Sequence, residues 1–150
     1  MNKMIVSKLI LTAAISCGIV LAEEEMMHKT IVSLDSTELD CVALSAVAEQ
    51  PFMKVIAGNN PVAGSLNKFH SSDGKFEVDF YHGSEVTLRL ADWPVHEVMY
   101  FVEGQVEITD ESGSARIYGP GDALVMPKGF SGTWRQLSPI KKISVSYLLD

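Results

Sequence analysis

The segments His96-Glu97-Val98-Met99-Tyr100-Phe101-Val102-Glu103-Gly104 and Gly121-Asp122-Ala123-Leu124-Val125-Met126-Pro127-Lys128-Gly129 decide how this chain is read. Each is a short apolar run closed by glycine or proline, the pattern of a strand entering a tight turn. Side chains alternate along a strand, so Glu97, Met99 and Phe101 share one face, while Val98 and Tyr100 share the other. A carboxylate in line with a thioether and a phenyl ring needs a partner, because an ionised group among apolar neighbours is costly when left alone.

Outward from these segments the pattern stays extended. Residues 76–80, 86–90, 105–109 and 115–118 read as strands, as do 133–137 and 142–149. Turns are expected at Ser72-Asp73-Gly74, His82-Gly83, Asp110-Glu111-Ser112-Gly113 and Gly119-Pro120-Gly121. Short strands at this spacing, with no long helical period, mean an all-β antiparallel sandwich or barrel. Before residue 60 the signal weakens. Ile31-Val32 and residues 41–44 read as short strands, and residues 44–48 as a helical turn stopped before Pro51.

The chain has 150 residues, 47% hydrophobic and 21% charged, which fits one globular domain and excludes a disordered or low-complexity chain. Its net charge of −7 excludes a protein that binds nucleic acid through a basic face. Much of the hydrophobicity lies at the front. Lys3 and Lys8 precede the run from Leu9 to Ala22, Val20-Leu21-Ala22 supplies a small-residue exit, and Glu23 to Glu25 follow. This is the pattern of a secretory signal peptide over residues 1–22, and the apolar run is too short for a stable membrane span. The expected mature protein, residues 23–150, is more acidic still and is periplasmic or secreted. It keeps Cys41 as its one thiol, so it relies on its core. Residues 23–54 form an N-terminal extension with short strands, and residues 55–150 form the barrel.

The two opening segments resemble the cupin superfamily. The spacing Glu97-x6-Gly104 matches the end of the first cupin motif, G-x5-H-x-H-x3,4-E-x6-G. Gly121-x5-Pro127-x-Gly129 matches the start of the second, G-x5-P-x-G-x2-H-x3-N. The ending Gly129-Phe130-Ser131-Gly132-Thr133-Trp134, with Lys142 downstream, is similar to the small single-domain cupins grouped with the ureidoglycine aminohydrolase cupin domain. The resemblance implies a double-stranded β-helix, or jelly-roll barrel, and Lys142 stands where the family pattern carries a lysine.

The resemblance also implies metal ligands, and here the chain departs from it. The two histidines of the first motif would fall at Ala91 and Trp93, or at Leu90 and Asp92; the histidine and asparagine of the second would fall at Gly132 and Gln136. Only the carboxylate, Glu97, remains of the usual set. A divalent transition metal wants several converging imidazole or carboxylate ligands, so no metal site is expected. His28, His70, His82 and His96 have no ligand spacing, and His96 faces away from Glu97.

Strand alternation and the resemblance together outline a cavity of Trp93, Met99, Phe101, Trp134 and Gln136 around Glu97. Arg89 and Lys142 are its candidate ion-pair partners. Apolar walls with a few placed polar groups suit a small organic ligand, and indole faces stack on sugars or cations. A barrel simply filled by side chains fits the same residues. The function expected is small-ligand binding without the usual metal. The alternative is an enzyme acting on a ureide, amino acid or sugar derivative, with Glu97 as acid/base or weak metal ligand. The apolar outer residues Val98 and Tyr100 point to a homodimer.

Overall fold

A computed structural model describes residues 30–148. The expected leader, residues 1–22, and His28 lie outside the described residues. Eleven strands form among the described residues: β1 (Ser45–Ala46), β2 (Met53–Ala57), β3 (Val62–His70), β4 (Phe76–Gly83), β5 (Thr87–Leu90), β6 (His96–Glu103), β7 (Val106–Asp110), β8 (Ala115–Tyr118), β9 (Ala123–Met126), β10 (Gly132–Gln136) and β11 (Ile140–Tyr147). One sheet runs β1-β3-β4-β11-β6-β9 and the other β2-β5-β10-β7-β8. Neighbours within each sheet are antiparallel. The all-β expectation holds, and the two sheets face each other as a jelly-roll barrel.

Strand boundaries follow the turn chemistry. At Asp110-Glu111-Ser112-Gly113 the β7–β8 hairpin closes through a Gly113 N–H to Asp110 carbonyl bond of 3.0 Å. The Asp110 carboxylate accepts from the Ser112 and Ser114 N–H groups at 2.9 and 3.0 Å. The turn expected at His82-Gly83 does not form, because β4 continues there, pairing Gly83 with Ala63 and with Ile140. Residues 44–48 are not a helical turn either: Ser45–Ala46 is captured as an edge strand on β3. Ile31-Val32 forms no strand.

The helical piece sits earlier, as a 3-10 turn over Ser36–Cys41. Asp35 caps it by accepting from the Thr37 N–H at 3.0 Å. Leu39 is fully buried and packs with Val42 and Phe80, surrounded by Leu66, Val102 and Ile143. Burying such a side chain contributes about 2 kcal/mol. Ion pairs pin the turn's flanks, Glu38 to Lys68 and Asp40 to Lys141 at 2.6 Å. Lys141 faces away from the cavity, as its parity requires, but it is not simply solvated. It also pairs with Glu103 at 2.9 Å. The hydrogen bonds to Asp40 first, and then to Glu103, hold its ammonium above the usual lysine range. Cys41 has a partner in the full chain and is not a free thiol. The lone-thiol expectation concerns the chain after loss of its leader.

The larger core lies between the sheets: Val86, Leu88, Leu90, Met99, Phe101, Val106, Met126, Trp134 and Ile140. Among the described residues no helix is long and apolar enough to cross a membrane.

Gly104, which ends the first motif, has φ +77°, and a Cβ there would stand 2.0 Å from the Pro139 carbonyl oxygen. Gly113 has a similar φ of +85° but open space around it. Left-handed backbone alone costs a non-glycine residue about 1–2 kcal/mol. Gly113→Ala should therefore lose about 1 kcal/mol and Gly104→Ala more than about 3 kcal/mol, read by urea denaturation. Equal losses would show that the backbone contact at Gly104 relaxes freely.

Candidate functional site

The inner face of the six-stranded sheet is built in rows. Opposed residues of neighbouring antiparallel strands point to the same side, so the register places Glu77, Ser146 and Glu97 in one row. Asp79, Ser144 and Met99 form the next, and Tyr81, Lys142 and Phe101 the third. The opposite sheet presents Met53, Leu88, Leu90 and Trp134. Between them lies a cavity of about 370 Å³, with Trp93 and Val95 at its side and Met126 beside Glu97. One wall is mostly polar and the other apolar.

Lys142 and Glu97 are joined across the rows. The Lys142 ammonium donates to Glu97 Oε1 at 2.8 Å and to Ser144 Oγ at 2.7 Å, and both members of the ion pair are buried. The ammonium also lies 5.1 Å from the Tyr81 ring centre and 5.7 Å from that of Trp134. A buried charge is tolerable only when compensated in this way, by an opposite charge, a hydroxyl and aromatic faces. The Tyr81 hydroxyl is pushed up to about 12, first by burial and then by the Glu97 carboxylate. It stays neutral at physiological pH.

Gln136 lies beneath the cavity and aligns its rings. Its Oε1 accepts from the Trp134 indole at 3.1 Å and from the Tyr81 hydroxyl at 3.3 Å, while its amide donates to the Ser84 carbonyl. Trp93 is held differently. Its backbone exchanges bonds with Phe130 and Gly129 at 2.9 and 2.8 Å, and its ring meets Phe52 edge-on at 5.3 Å. Asp92 just before it has φ +54°, an unfavourable region for a non-glycine residue. The Trp93 indole N–H is buried with no hydrogen-bond partner.

Of the residues singled out from sequence, Glu97, Trp93, Met99, Trp134 and Lys142 line one cavity. Three do not. Phe101 is fully buried behind the wall, stacked on Tyr118 and tilted against Trp134. Gln136 supports the rings from below. Arg89 is exposed on the outer face, because the buried residues of β5 are its neighbours Leu88 and Leu90. Lys142, not Arg89, is the partner of Glu97.

Sequence reasoning missed Glu77, Asp79, Tyr81, Ser144 and Ser146. The alternation of β4 was visible, but the face that turns inward is its polar one. Val78 and Phe80 point outward, where Phe80 packs under Leu39. His96 does face away from Glu97, and its Nδ1 accepts from the Lys128 N–H at 3.1 Å. Among the described residues no three His, Cys, Asp or Glu side chains gather closely enough to hold a metal ion.

Comparison with known families matches residues 65–143 to the EutQ-like cupin domain. The chain belongs to this family. Among solved structures, the EutQ protein of Clostridium difficile is 20% identical at a TM-score of 0.52, covering 60% of this chain and 71% of its own. A DUF861-family protein of unknown function from Pseudomonas syringae is 19% identical at a TM-score of 0.61, covering 75% of this chain. The chain spans 46% of that longer protein. A Salmonella typhimurium protein described as ethanolamine utilization protein Q is 18% identical at a TM-score of 0.51, covering 73% of this chain and 97% of its own. At these identities the likeness is one of fold. Among proteins of curated function, none matches in sequence.

In this EutQ-like cupin domain the ion pair carries a measurable consequence. Lys142→Met leaves Glu97 buried without a partner and should cost about 3–5 kcal/mol in urea denaturation. Adding Glu97→Gln should recover more than half of that loss. A single-variant cost under about 1 kcal/mol would mean that water already solvates the carboxylate.

Proposed function

We propose that this chain is an exported cupin-domain protein that holds a small organic ligand in its barrel and does so without a bound metal. Trp93 carries the reading. Its buried indole N–H lacks an acceptor on the wall of a half-open cavity of about 370 Å³. An orphaned buried donor costs about 1–3 kcal/mol, and an acceptor atom on a ligand recovers it. The backbone at Asp92 accepts a left-handed conformation to set that ring in place. The cavity volume lies within the range of small-molecule sites, and its apolar wall with a few polar groups has their usual composition.

The donor set does not fit a divalent ion. The positions that the superfamily fills with histidine hold alanine and tryptophan, or in the alternative register leucine and aspartate, and glycine in the second motif, and the remaining carboxylate accepts from an ammonium at 2.8 Å. Lys142 occupies the electrostatic place a metal would take. The same pair weakens the enzyme alternative, since a carboxylate hydrogen-bonded to an ammonium is a poor general base. Ureides, amino acids and sugar derivatives remain the first ligand classes to screen, in keeping with a finer kinship to ureidoglycine aminohydrolase cupins.

Protein purified without chelators should carry only substoichiometric Mn, Fe, Ni or Zn by elemental analysis. A ligand at a hundredfold excess over its dissociation constant should stabilise it by about 2.7 kcal/mol in thermal unfolding. Trp93→Phe keeps the ring, loses the N–H, and should weaken binding about tenfold by calorimetry. A stoichiometric metal, or a Trp93→Phe variant that binds equally well, overturns this reading.

Export rests on the pattern of residues 1–22 and dimerisation on the exposed strip of Val98, Tyr100 and Val125. The secreted chain should begin at Glu23 by N-terminal sequencing and sediment as a dimer. A chain retaining Met1, or a monomer at micromolar concentration, contradicts the respective part.

A further inference from the structure

A lysine that serves only to neutralise a buried carboxylate does not have to face a cavity. Lys142 does: it is the one lysine lining the half-open space among the described residues, and its side chain is 8% exposed. An ammonium has three N–H donors. Glu97 Oε1 takes one at 2.8 Å and Ser144 Oγ another at 2.7 Å, and the third has no partner among the described residues. The Tyr81 and Trp134 ring centres lie 5.1 and 5.7 Å away. The opposite wall presents Met53, Leu88 and Leu90. A primary amine, a carboxylate in contact with its proton and an apolar wall thus share one small space.

We propose that Lys142 captures a small aldehyde in this cavity as a reversible iminium, with Glu97 as proton relay and counter-ion. The inference rests on the ligand-binding reading above and names the chemical class of the ligand and the bond that holds it. Lysine amines condense with carbonyl groups once a proton is removed, and Glu97 is already hydrogen-bonded to that proton. The ammonium passes it to Glu97 and turns one staggered step about Cε–Nζ, so that the lone pair takes the place of the unpartnered N–H. The nitrogen adds to the carbonyl carbon: a C–N bond forms and the C=O π pair moves onto oxygen. One proton from nitrogen and the one held by Glu97 then reach that oxygen. It leaves as water while the nitrogen lone pair closes the C=N bond. One ammonium and one aldehyde become one iminium and one water, with Glu97 ionised again. The buried charge balance is therefore the same before and after capture, and the two aromatic faces serve the new cation as they served the old. The aldehyde oxygen is lost, so the acceptor that meets the Trp93 N–H is a second atom of the ligand.

The probe is 4-methoxybutanal, incubated with the intact protein at neutral pH and low aldehyde concentration with cyanoborohydride, which reduces an iminium to a stable secondary amine. Peptide mass mapping should find Lys142 alkylated at least about tenfold faster than the surface residues Lys54 and Lys128. In urea that preference should vanish. Glu97→Gln removes the counter-charge that keeps the imine protonated, so trapping at Lys142 should fall at least about fivefold. Labelling of Lys142 no faster than that of Lys54 overturns the proposal. If 4-methoxybutanal or 4-methoxybutan-1-ol without reductant still raises the melting temperature, the ligand-binding reading stands alone. Trapping that is undiminished in Glu97→Gln, with its near-UV circular dichroism unchanged, overturns the part given to Glu97.

Discussion

A buried carboxylate has to be answered, and the answer to Glu97 organises the barrel. Its partner comes from β11, whose long Lys142 side chain passes Ser144 to reach it. Replacing such a pair with apolar residues often costs nothing, so its worth lies less in net stability than in what it forbids. A one-residue slip of β11 against β6 would turn Lys142 outward and leave Glu97 alone in the core. The pair therefore disfavours that slip of β11 against β6. The observed register places serines, acids and a tyrosine on the same inner face.

The result inverts the usual division of an amphipathic sheet. On β4 and β11 the six-stranded sheet turns polar side chains toward the barrel and apolar ones away from it, while β6 and β9 still bring Met99, Phe101 and Met126 inward. Its outer face needs cover. The 3-10 turn over Ser36–Cys41 supplies it for Phe80, Leu66 and Ile143. The remainder, around Val98, Tyr100 and Val125, stays exposed. A barrel with one largely polar wall and one apolar wall does not close on itself as a fully packed core can, and the space between them is the cavity.

The strands and motif glycines were readable because they rest on local rules. Alternation, turn residues and the positive-φ demand at Gly104 each act within a few residues. The shared parity of Glu97 and Met99 followed from the same rules, while the places of Trp134 and Lys142 came through the family resemblance. What stayed hidden depends on contacts far along the chain. Alternation in β4 cannot say which of its faces turns inward; that is settled by Leu39, about forty residues earlier, which covers Phe80. Arg89 looked as suitable as Lys142 for Glu97 because charge is visible in sequence and direction across a barrel is not. The helical turn was misplaced for a similar reason. Residues 44–48 have helical character of their own, but Ser45–Ala46 finds an open edge on β3, and pairing overrides local preference.

Trp93 and Trp134 are the only tryptophans in the chain, and both border the cavity. One indole is bonded to an amide and lies near a fixed ammonium; the other has no hydrogen-bond partner. The tryptophan emission of this protein thus arises wholly from the border of its barrel cavity, from two chromophores in unlike electric fields. Occupancy, hydration and protonation of the barrel are written directly into its fluorescence spectrum and lifetimes, with no label added.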